Sequence, residues 1–481
     1  MTMHRASIMF LILIFLVSNR PTLALNRLLE KYSTKEKFGL NQKQPTISRL
    51  GTVTIARMPY AFRGNLYFPG YDPIHGVELW RSDGTATGTY MVTDLNQNGE
   101  GFRLFAPGHE QYQLQIVEME GSLYFAGYDN AGQPRLMQSD GTSQGTGPVG
   151  HFTFQPDAYY VYNDRLFWSS RAETIPQGLW STDGTYGGTV LLKGYPTPER
   201  IISTFVGMGE DIYYFVYNDA SRETVLWKSN GTMPGTLPVK ELVYPQDTFP
   251  VMGAVFGNRL FFNGYDPSHG FELWQTDGTT KGTDIVQDYL PDSVSLHPNF
   301  FVSGADTLFF TSNEASSKTY VYKYINQEKG IQQIGELPSI QGGLKNISGR
   351  IYFWAGNGTP EGTSLFRIND TGDGVVSLMP PGGHYSAGYN YGEMVLAELG
   401  NQVFFEALDA EHGKEIWVTD GSPEGTHLLA DILTEPEHST PMFLTAAGGR
   451  VFFRADDSIN GEGLWVYDPL IEKNFLPMIQ K

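Results

Sequence analysis

Three segments of the sequence repeat an aspartate, a histidine and a glutamate, each three residues after the one before. Carboxylates and imidazoles with this grouping bind divalent cations and polar ligands in proteins. The pattern therefore gives a candidate ligand-binding site, for which no cofactor is predicted and a divalent cation is the possible one. Asp-Pro and His-Gly also favour turns, so hydrogen bonding within each segment is the favoured alternative to metal binding. The residues are Asp72, His75 and Glu78; Asp266, His269 and Glu272; and Asp409, His412 and Glu415.

Motifs that would identify a catalytic centre do not occur in the sequence. The chain has no cysteine, which excludes disulfides, thiolate nucleophiles and zinc ribbons. GxSxG elbows, HExxH helices, P-loops and complete EF-hand loops are also missing. The segment from Asp456 to Gly461 resembles half a calcium loop, but Glu462 is not at the closing position, which favours a polar turn. No catalytic residue is predicted.

An internal repeat determines which elements carry these side chains. Units with a common opening apolar triplet recur at intervals of about 43 to 57 residues, a period typical of propellers or solenoids. Residues 64–95 form the clearest unit, and similar copies begin at Gly257 and Gly400. The nine triplets start at Leu66, Leu123, Leu166, Ile212, Leu260, Leu308, Ile351, Val403 and Val451.

Each unit is predicted to form four short strands. In the fifth unit these are Arg259 to Gly264, Phe271 to Gln275 and Thr283 to Gln287, preceded by an apolar first strand. Four-stranded units of this period are blades of a β-propeller, so we predict an all-β fold with a single propeller of eight to nine blades. Third-strand tryptophans are expected to pack between neighbouring blades. They are Trp80, Trp180, Trp227, Trp274, Trp417 and Trp465.

Closure of the ring is predicted to involve the N-terminal part of the chain. The segment Gly51 to Ile55 resembles a fourth strand, such as the one from Gly88 to Val92. We therefore expect an N-terminal strand to complete the last blade. The alternative is closure by the segment from Asn474 to Ile479.

The repeat resembles a known family of proteins. Glu78 to Thr85, followed by Gly88-Thr89, is similar to the ELWxxDGT repeat of secreted or surface proteins, which are mostly bacterial. Glu272 to Thr279 matches equally well, and Glu415 to Ser422 matches with two substitutions. The resemblance implies an exported propeller-like protein, and it brings no catalytic residues to carry over. The Asp-Gly-Thr turn also resembles the Asp-box of sialidases, but the aromatic residue that follows in that motif is missing.

The N-terminus predicts export. Residues 1–24 resemble a signal peptide, residues 25–50 a basic polar linker, and residues 51–481 the propeller domain. The whole chain has a net charge of −19 and residues 1–50 carry +6, which leaves −25 on the remainder. Such an acidic body disfavours nucleic acid as a partner. We expect a secreted, cell-surface or periplasmic protein whose mature chain has no membrane span.

Two hypotheses for function remain open at this stage. The favoured one is a non-enzymatic propeller that binds an extracellular protein or polysaccharide through one face of the ring. The alternative is an extracellular glycan-acting hydrolase or lyase with acid and base carboxylates near the centre. In a eukaryotic secretory pathway, four sequons would be candidate glycosylation sites. They are Asn230, Asn346, Asn357 and Asn369.

Overall fold

Nine antiparallel sheets, arranged as the four-stranded blades of a β-propeller, make up the computed structural model of this protein, and in blades one and four the first strand is divided into two. Every regular element in the part of the chain that the structure describes is a β-strand, and this part contains no helix long and apolar enough to cross a bilayer. The structure describes residues 45–469 except 104, 107–108, 114, 155, 157, 171–176, 246–247, 249, 291–294, 313–317, 357–361, 380–388, 391–392 and 435–436.

The blades are numbered here in chain order, and their strands from the first, innermost strand to the fourth. Blade one comprises Thr54–Ile55 with Tyr60–Phe62, Asn65–Asp72, Gly76–Ser82 and Tyr90–Thr93. Blade two comprises Val117–Met119, Ser122–Tyr128, Pro134–Ser139 and Thr146–Pro148. Blade three comprises Ala158–Tyr162, Arg165–Ser170, Gly178–Thr182 and Val190–Gly194. Blade four comprises Glu199–Ile201 with Val206–Met208, Asp211–Asn218, Thr224–Ser229 and Leu237–Leu242. Blade five comprises Met252–Phe256, Arg259–Asp266, Gly270–Thr276 and Asp284–Ile285. Blade six comprises Pro298–Ser303, Leu308–Ser312, Thr319–Tyr324 and Ile331–Leu337.

Blades seven to nine complete the ring. Blade seven comprises Ile340–Ile347, Arg350–Gly356, Thr363–Ile368 and Val375–Ser377. Blade eight comprises Ala397–Leu399, Gln402–Asp409, Gly413–Thr419 and His427–Ala430. Blade nine comprises Met442–Ala447, Arg450–Asp456, Glu462–Asp468 and Thr46–Arg49. Two short hairpins lie in blade connections, Phe105–Ala106 with His109–Gln113 and Tyr389–Asn390 with Glu393–Met394. The predicted repeat units thus correspond to nine blades.

The hydrophobic core lies between the blades. Nine clusters of buried side chains each join two consecutive blades, including the ninth and the first. Trp274, for example, packs with Leu226 and Val239 of the preceding blade and is 7% exposed. Its ring also covers Gly264, where a Cβ would approach the indole to 2.2 Å. The tryptophans therefore have the inter-blade packing role that the sequence predicts.

The Asp-Gly-Thr turn connects the third and fourth strands at the opposite end of the blade from the candidate site. In blade five, Asp277 accepts hydrogen bonds from the amide (3.0 Å) and hydroxyl (2.7 Å) of Thr279. Gly278 has a φ of 87°, and a Cβ there would meet the Tyr213 hydroxyl of blade four at 2.2 Å. Only glycine fits this position without strain, because the turn is both left-handed and pressed against its neighbour. The same turn begins at Asp83, Asp140, Asp183, Asn230 and Asp420.

An N-terminal strand closes the ring, as predicted, but it is a different segment. Thr46–Arg49 pairs with Glu462–Asp468 as the fourth strand of blade nine, whereas Thr54–Ile55 belongs to blade one. The predicted linker 25–50 therefore includes a strand at its end. The reason is burial: Val53 and Ile55 are 4% and 0% exposed in the interface between blades nine and one, while the outermost strand accommodates polar residues. The segment 474–479 lies outside the described residues.

Candidate functional site

The loops between second and third strands lie at the same end of the blades as the connections from one blade to the next. Each predicted set of Asp, His and Glu lies at this end, in blades one, five and eight. The aspartate ends the second strand, the histidine lies in the loop, and the glutamate is the third residue of the third strand. The sets thus have equivalent positions in three blades.

The aspartate and the histidine of each set bind one another. In blade one, Asp72 accepts hydrogen bonds from the amides of Ile74 (2.8 Å) and His75 (3.0 Å) and lies 2.9 Å from Nδ1 of His75. The hydrogen bond to Asp72 raises the pKa of His75. This carboxylate therefore shapes the turn and orients the imidazole.

Blades five and eight repeat this arrangement. Nδ1 of His269 lies 2.7 Å from Asp266, and Nδ1 of His412 lies 2.9 Å from Asp409. The amide of His412 also donates to Asp409, at 2.6 Å, and the hydrogen bond between the side chains raises the pKa of His412. The within-blade alternative accounts for these contacts in all three loops.

The three glutamates lie beneath the blade connections, and each is 0% exposed. Glu415 accepts hydrogen bonds from the amides of Ile432 (3.1 Å), Leu433 (3.2 Å) and Ser439 (3.3 Å) and from the Ser439 hydroxyl (2.6 Å). Burial raises the pKa of Glu415, although these donors oppose the shift. The side chain thus fixes the connection between blades eight and nine.

The other two glutamates have fewer donors. Glu78 accepts a hydrogen bond from the amide of Leu95 at 2.8 Å, and its second oxygen has no partner within the described part of the chain. The amides of Tyr289 and Leu296 face Glu272, but neither of its oxygens completes a hydrogen bond with any described residue. Burial raises the pKa of Glu78 to about 7 and that of Glu272 to about 8.

A fixed spacing relates each glutamate to the connection that it contacts. The first facing amide belongs to the residue 17 positions later in all three blades, and an aspartate precedes that residue. The negative charges of these aspartates raise the pKa of Glu78 and Glu272 further. This second acidic position was detectable in the sequence as a residue shared by the three glutamate-bearing repeats. The residues are Asp94, Asp288 and Asp431.

The three sets do not form one site. No two of blades one, five and eight are neighbours in the ring. Blade nine separates blades eight and one, and blade five is adjacent to neither of them. Among the described residues, no three His, Asp or Glu side chains come together as a group that would hold a metal ion. Each aspartate is occupied by its own turn and each glutamate is buried. A ligand at these nine positions would have to displace existing hydrogen bonds.

Blade three contains a small cleft at the equivalent position. Gly178 replaces the glutamate there, and a Cβ on it would meet the carbonyl of Lys193 at 2.1 Å. The cleft has a volume of about 10 Å³, which is room for one water molecule. Its lining includes Ser169, Tyr195 and Glu199. The space beside Gly178 is thus occupied by the backbone of the fourth strand, and only a small cavity remains.

The segment from Asp456 to Gly461, which resembles half a calcium loop, binds the guanidinium group of Arg49. Arg49 of the closing strand donates to the carboxylate of Asp457 at 2.9 Å and to the carbonyl of Gly461 at 2.8 Å. Further carbonyls that accept from Arg49 are those of Asn460 and Glu462, both at 3.1 Å. The segment is a polar turn, as predicted, and its role is to anchor the strand that closes the ring.

The predicted glycosylation sites lie in different surroundings. Asn230 is exposed in the turn of blade four, where its side-chain oxygen accepts from Thr232. The amide nitrogen of Asn346 donates to the carbonyl of Ser303, and that of Asn369 donates to Asp373. Asn357 lies outside the described residues. Attachment of a glycan at any of the four remains a prediction.

Several apolar side chains are exposed at the same end of the blades. Ile74 is 84% exposed in the loop of blade one, and Ile459 is 86% exposed in the loop of the neighbouring blade nine. Tyr71, at the end of a second strand, is 44% exposed, and Val243, after a fourth strand, is 62% exposed. Exposed apolar side chains mark an interaction site where they form a contiguous patch.

Sequence comparisons place the chain in no described group. No protein-family model matches it, and no curated protein matches it. The expected membership of the ELWxxDGT family therefore stays a prediction.

Solved structures that are similar to this chain contain propellers. An oligogalacturonate lyase in complex with manganese aligns over 73% of this chain and 86% of its own, with 11% identity and a TM-score of 0.38. Dipeptidyl peptidase 4 of Porphyromonas gingivalis aligns over 84% and 65%, with 11% identity and a TM-score of 0.48. Oligopeptidase B of Leishmania major aligns over 76% and 54%, with 10% identity and a TM-score of 0.44. This chain spans less than two thirds of either peptidase.

Proposed function

We propose that this protein is an exported, non-enzymatic propeller that binds an extracellular protein or polysaccharide through the face formed by the loops between second and third strands. The observation that carries this proposal is the combination of rigid turns with exposed side chains on one face. Internal Asp–His pairs fix the loops of three blades. Preorganised loops lose little conformational entropy on binding, which favours recognition.

Three carboxyl groups whose pKa values are raised by burial are poorly placed to act as general acids. Glu78 and Glu272 are 0% exposed and Glu406 is 5% exposed. Burial raises the pKa of Glu406 to about 7, and its partner Lys414 lies 3.5 Å away. A general acid must reach the bond that it protonates. These three groups are covered by the fold, so a substrate would not reach them without rearrangement.

The test is a binding screen with a matched pair of variants. The purified protein is exposed to immobilised extracellular polysaccharides and proteins, and bound and released material are both measured. Ile74→Asp places a charge on the proposed face, whereas Met233→Asp places one on the loop between third and fourth strands of blade four, where Met233 is 61% exposed. We expect binding that falls at least tenfold in Ile74→Asp and is unchanged in Met233→Asp.

Other outcomes of this screen would contradict the proposal. Equal binding by both variants would place recognition elsewhere on the molecule. Release of shortened glycans would instead support the alternative, a glycan-acting hydrolase or lyase on a propeller scaffold.

Export is the second part of the proposal and rests on the N-terminal sequence. Residues 1–24 have the basic, apolar and small-residue regions of a signal peptide. Expression with the native N-terminus should give a protein outside the cytoplasm that begins at Leu25, which N-terminal sequencing would detect. A cytoplasmic product that retains Met1 would contradict it.

A further inference from the structure

Four aromatic rings meet on the proposed binding face at blade five. Phe271 is the central one, and its ring centroid lies 4.7 Å from that of His297, 5.0 Å from Tyr265 and 6.3 Å from Tyr244. Tyr265 and Phe271 flank the loop between the second and third strands, whereas Tyr244 and His297 belong to the two adjoining blade connections. Three separate chain segments thus contribute to one aromatic cluster.

Backbone contacts hold the cluster in a fixed arrangement. Tyr265 and Phe271 are paired across the hairpin, next to the turn that Asp266 stabilises. The Tyr244 hydroxyl donates to the carbonyl of Asn263 at 2.8 Å. These contacts mean that the rings are positioned before any ligand arrives, which lowers the entropic cost of binding.

His297 is held in an uncommon backbone conformation. Its φ is 49°, a value rare outside glycine and asparagine, and its amide donates to the carbonyl of Phe271 at 3.1 Å. The imidazole stacks on the Phe271 ring with an interplanar angle of 28° and is exposed to solvent. Partial burial lowers the pKa of His297, because desolvation disfavours the charged imidazolium.

The equivalent loop in blade eight shows which part of this arrangement is structural. Thr440 occupies the position of His297, with a φ of 47°, and its amide donates to the carbonyl of Lys414 at 3.2 Å. The backbone geometry is therefore a property of the repeat. The aromatic rings are not a property of the repeat, because Thr440 and Lys414 have the same backbone geometry without them. The stacked rings of blade five are therefore not required by this backbone geometry.

We propose that this cluster binds a sugar unit of a neutral extracellular polysaccharide, with the exposed face of His297 and the edges of Tyr265 and Tyr244 in contact with the pyranose ring. The proposal rests on the proposed function and specifies its ligand. The C–H hydrogens on one face of a sugar ring carry partial positive charge and are attracted to the negative face of an aromatic ring. The net charge of −25 on residues 51–481 repels acidic polysaccharides, which favours a neutral one.

The shape of the cluster favours a sugar over a protein side chain. Tyr244, Tyr265 and Phe271 are half-buried and His297 is exposed, and the rings of Tyr265 and Tyr244 are inclined by 56° and 46° to that of Phe271, so the stacked His297 ring is the exposed part of the cluster. Protein hot spots are usually well-packed pockets that are fully desolvated on binding. A sugar ring needs only one apolar contact face and keeps its hydroxyl groups in water or on polar neighbours such as Asp266.

The experiment uses His297→Asn and the matched control Thr440→Asn. Asparagine tolerates positive φ, so both variants keep the backbone while only His297→Asn removes a ring. The purified proteins are compared by affinity electrophoresis in gels that contain a neutral β-glucan, a neutral mannan or polygalacturonate. We expect the wild type and Thr440→Asn to be retarded by at least one neutral polymer and not by polygalacturonate. His297→Asn should bind that polymer at least tenfold more weakly, with a melting temperature within about 2 °C of the wild type.

Three results would overturn the inference. They are equal retardation of His297→Asn and the wild type, retardation by polygalacturonate alone, and no retardation in any gel. None of them removes the proposed function, which fails separately if the screen of proteins and polysaccharides finds no binding at all. A protein partner whose binding is insensitive to His297→Asn would support the general proposal and exclude this site.

Discussion

Glu415 and Glu272 occupy the same position in two blades, are equally buried and differ in what surrounds them. Glu415 accepts four hydrogen bonds from the connection above it, whereas Glu272 completes none with the described residues. Ser439 supplies two of the four bonds, and Leu296 occupies the corresponding place in blade five. Its amide donates to the carbonyl of Phe271 instead. The glutamate is therefore present in both repeats, but its hydrogen bonding differs between them.

The consequence is a difference in protonation. A buried carboxylate with several donors can stay ionised, whereas one without donors is favoured in its neutral form. Glu272, with a pKa raised to about 8 by burial and by Asp288, is neutral at pH 7 in the folded protein. Glu415 has donors that oppose the shift. One blade thus has a hydrogen-bonded clamp at this position, and the other has a buried acid.

The largest difference is expected from isosteric replacement. Glu415→Gln places an NH₂ group against backbone donors and should lower the free energy of unfolding by about 2–3 kcal/mol. Neither oxygen of Glu272 completes a hydrogen bond with the described residues, so Glu272→Gln should change it by less than about 1 kcal/mol at pH 5. Denaturant unfolding of both variants measures this. Equal losses would mean that Glu272 is hydrogen-bonded in solution.

The pH dependence sharpens the same comparison. Because the pKa of Glu272 is higher in the folded than in the unfolded state, its contribution is fully present below about pH 4.5 and is lost as the pH rises to about 8. The stability of Glu272→Gln relative to the wild type should therefore increase by on the order of 2 kcal/mol between pH 5 and pH 7. A difference that is constant across this range would show that Glu272 titrates normally.

A smaller effect is expected when blade eight is made to resemble blade five. Ser439→Ala removes the 2.6 Å hydroxyl bond to Glu415 and should cost about 1–2 kcal/mol. It should also move the pKa of Glu415 upwards, so that the variant loses stability at neutral pH more than at pH 5. Chemical unfolding at both pH values tests this, and an equal loss at the two would indicate that the hydroxyl contributes only packing.

The smallest effect is expected from metal removal. If the Asp–His pairs are complete without an ion, a chelator should leave the melting temperature unchanged in the wild type and in the triple variant Asp266→Ala, His269→Ala, Glu272→Ala. A decrease in the wild type that is absent from the variant would show that blade five binds a divalent cation. Stability would then also depend on metal concentration.

Much of the fold was determined by the sequence because its signals are local. Strand spacing, the glycine of each Asp-Gly-Thr turn and the third-strand tryptophan lie within one repeat, and each acts on neighbouring residues or on the adjoining blade. Nine apolar triplets therefore predict a propeller of eight to nine blades, of which the structure has nine, and Trp274 packs where its position in the repeat indicates. The role of the Asp–His pairs is local as well, since Asp266 and His269 are three residues apart.

The tertiary structure decided what depends on segments distant in the sequence. Which N-terminal segment closes the ring depends on burial: Ile55 fills the interface between blades nine and one, which leaves the outer position to Thr46–Arg49. Whether a repeated glutamate is a clamp or a neutral acid depends on donors 17 to 24 residues away. The stacking of His297 on Phe271 joins a blade to the connection that follows it. The repeat determines the residue type and the burial of these side chains. Their hydrogen-bond and stacking partners depend on how the connections between blades, which do not repeat, pack against them.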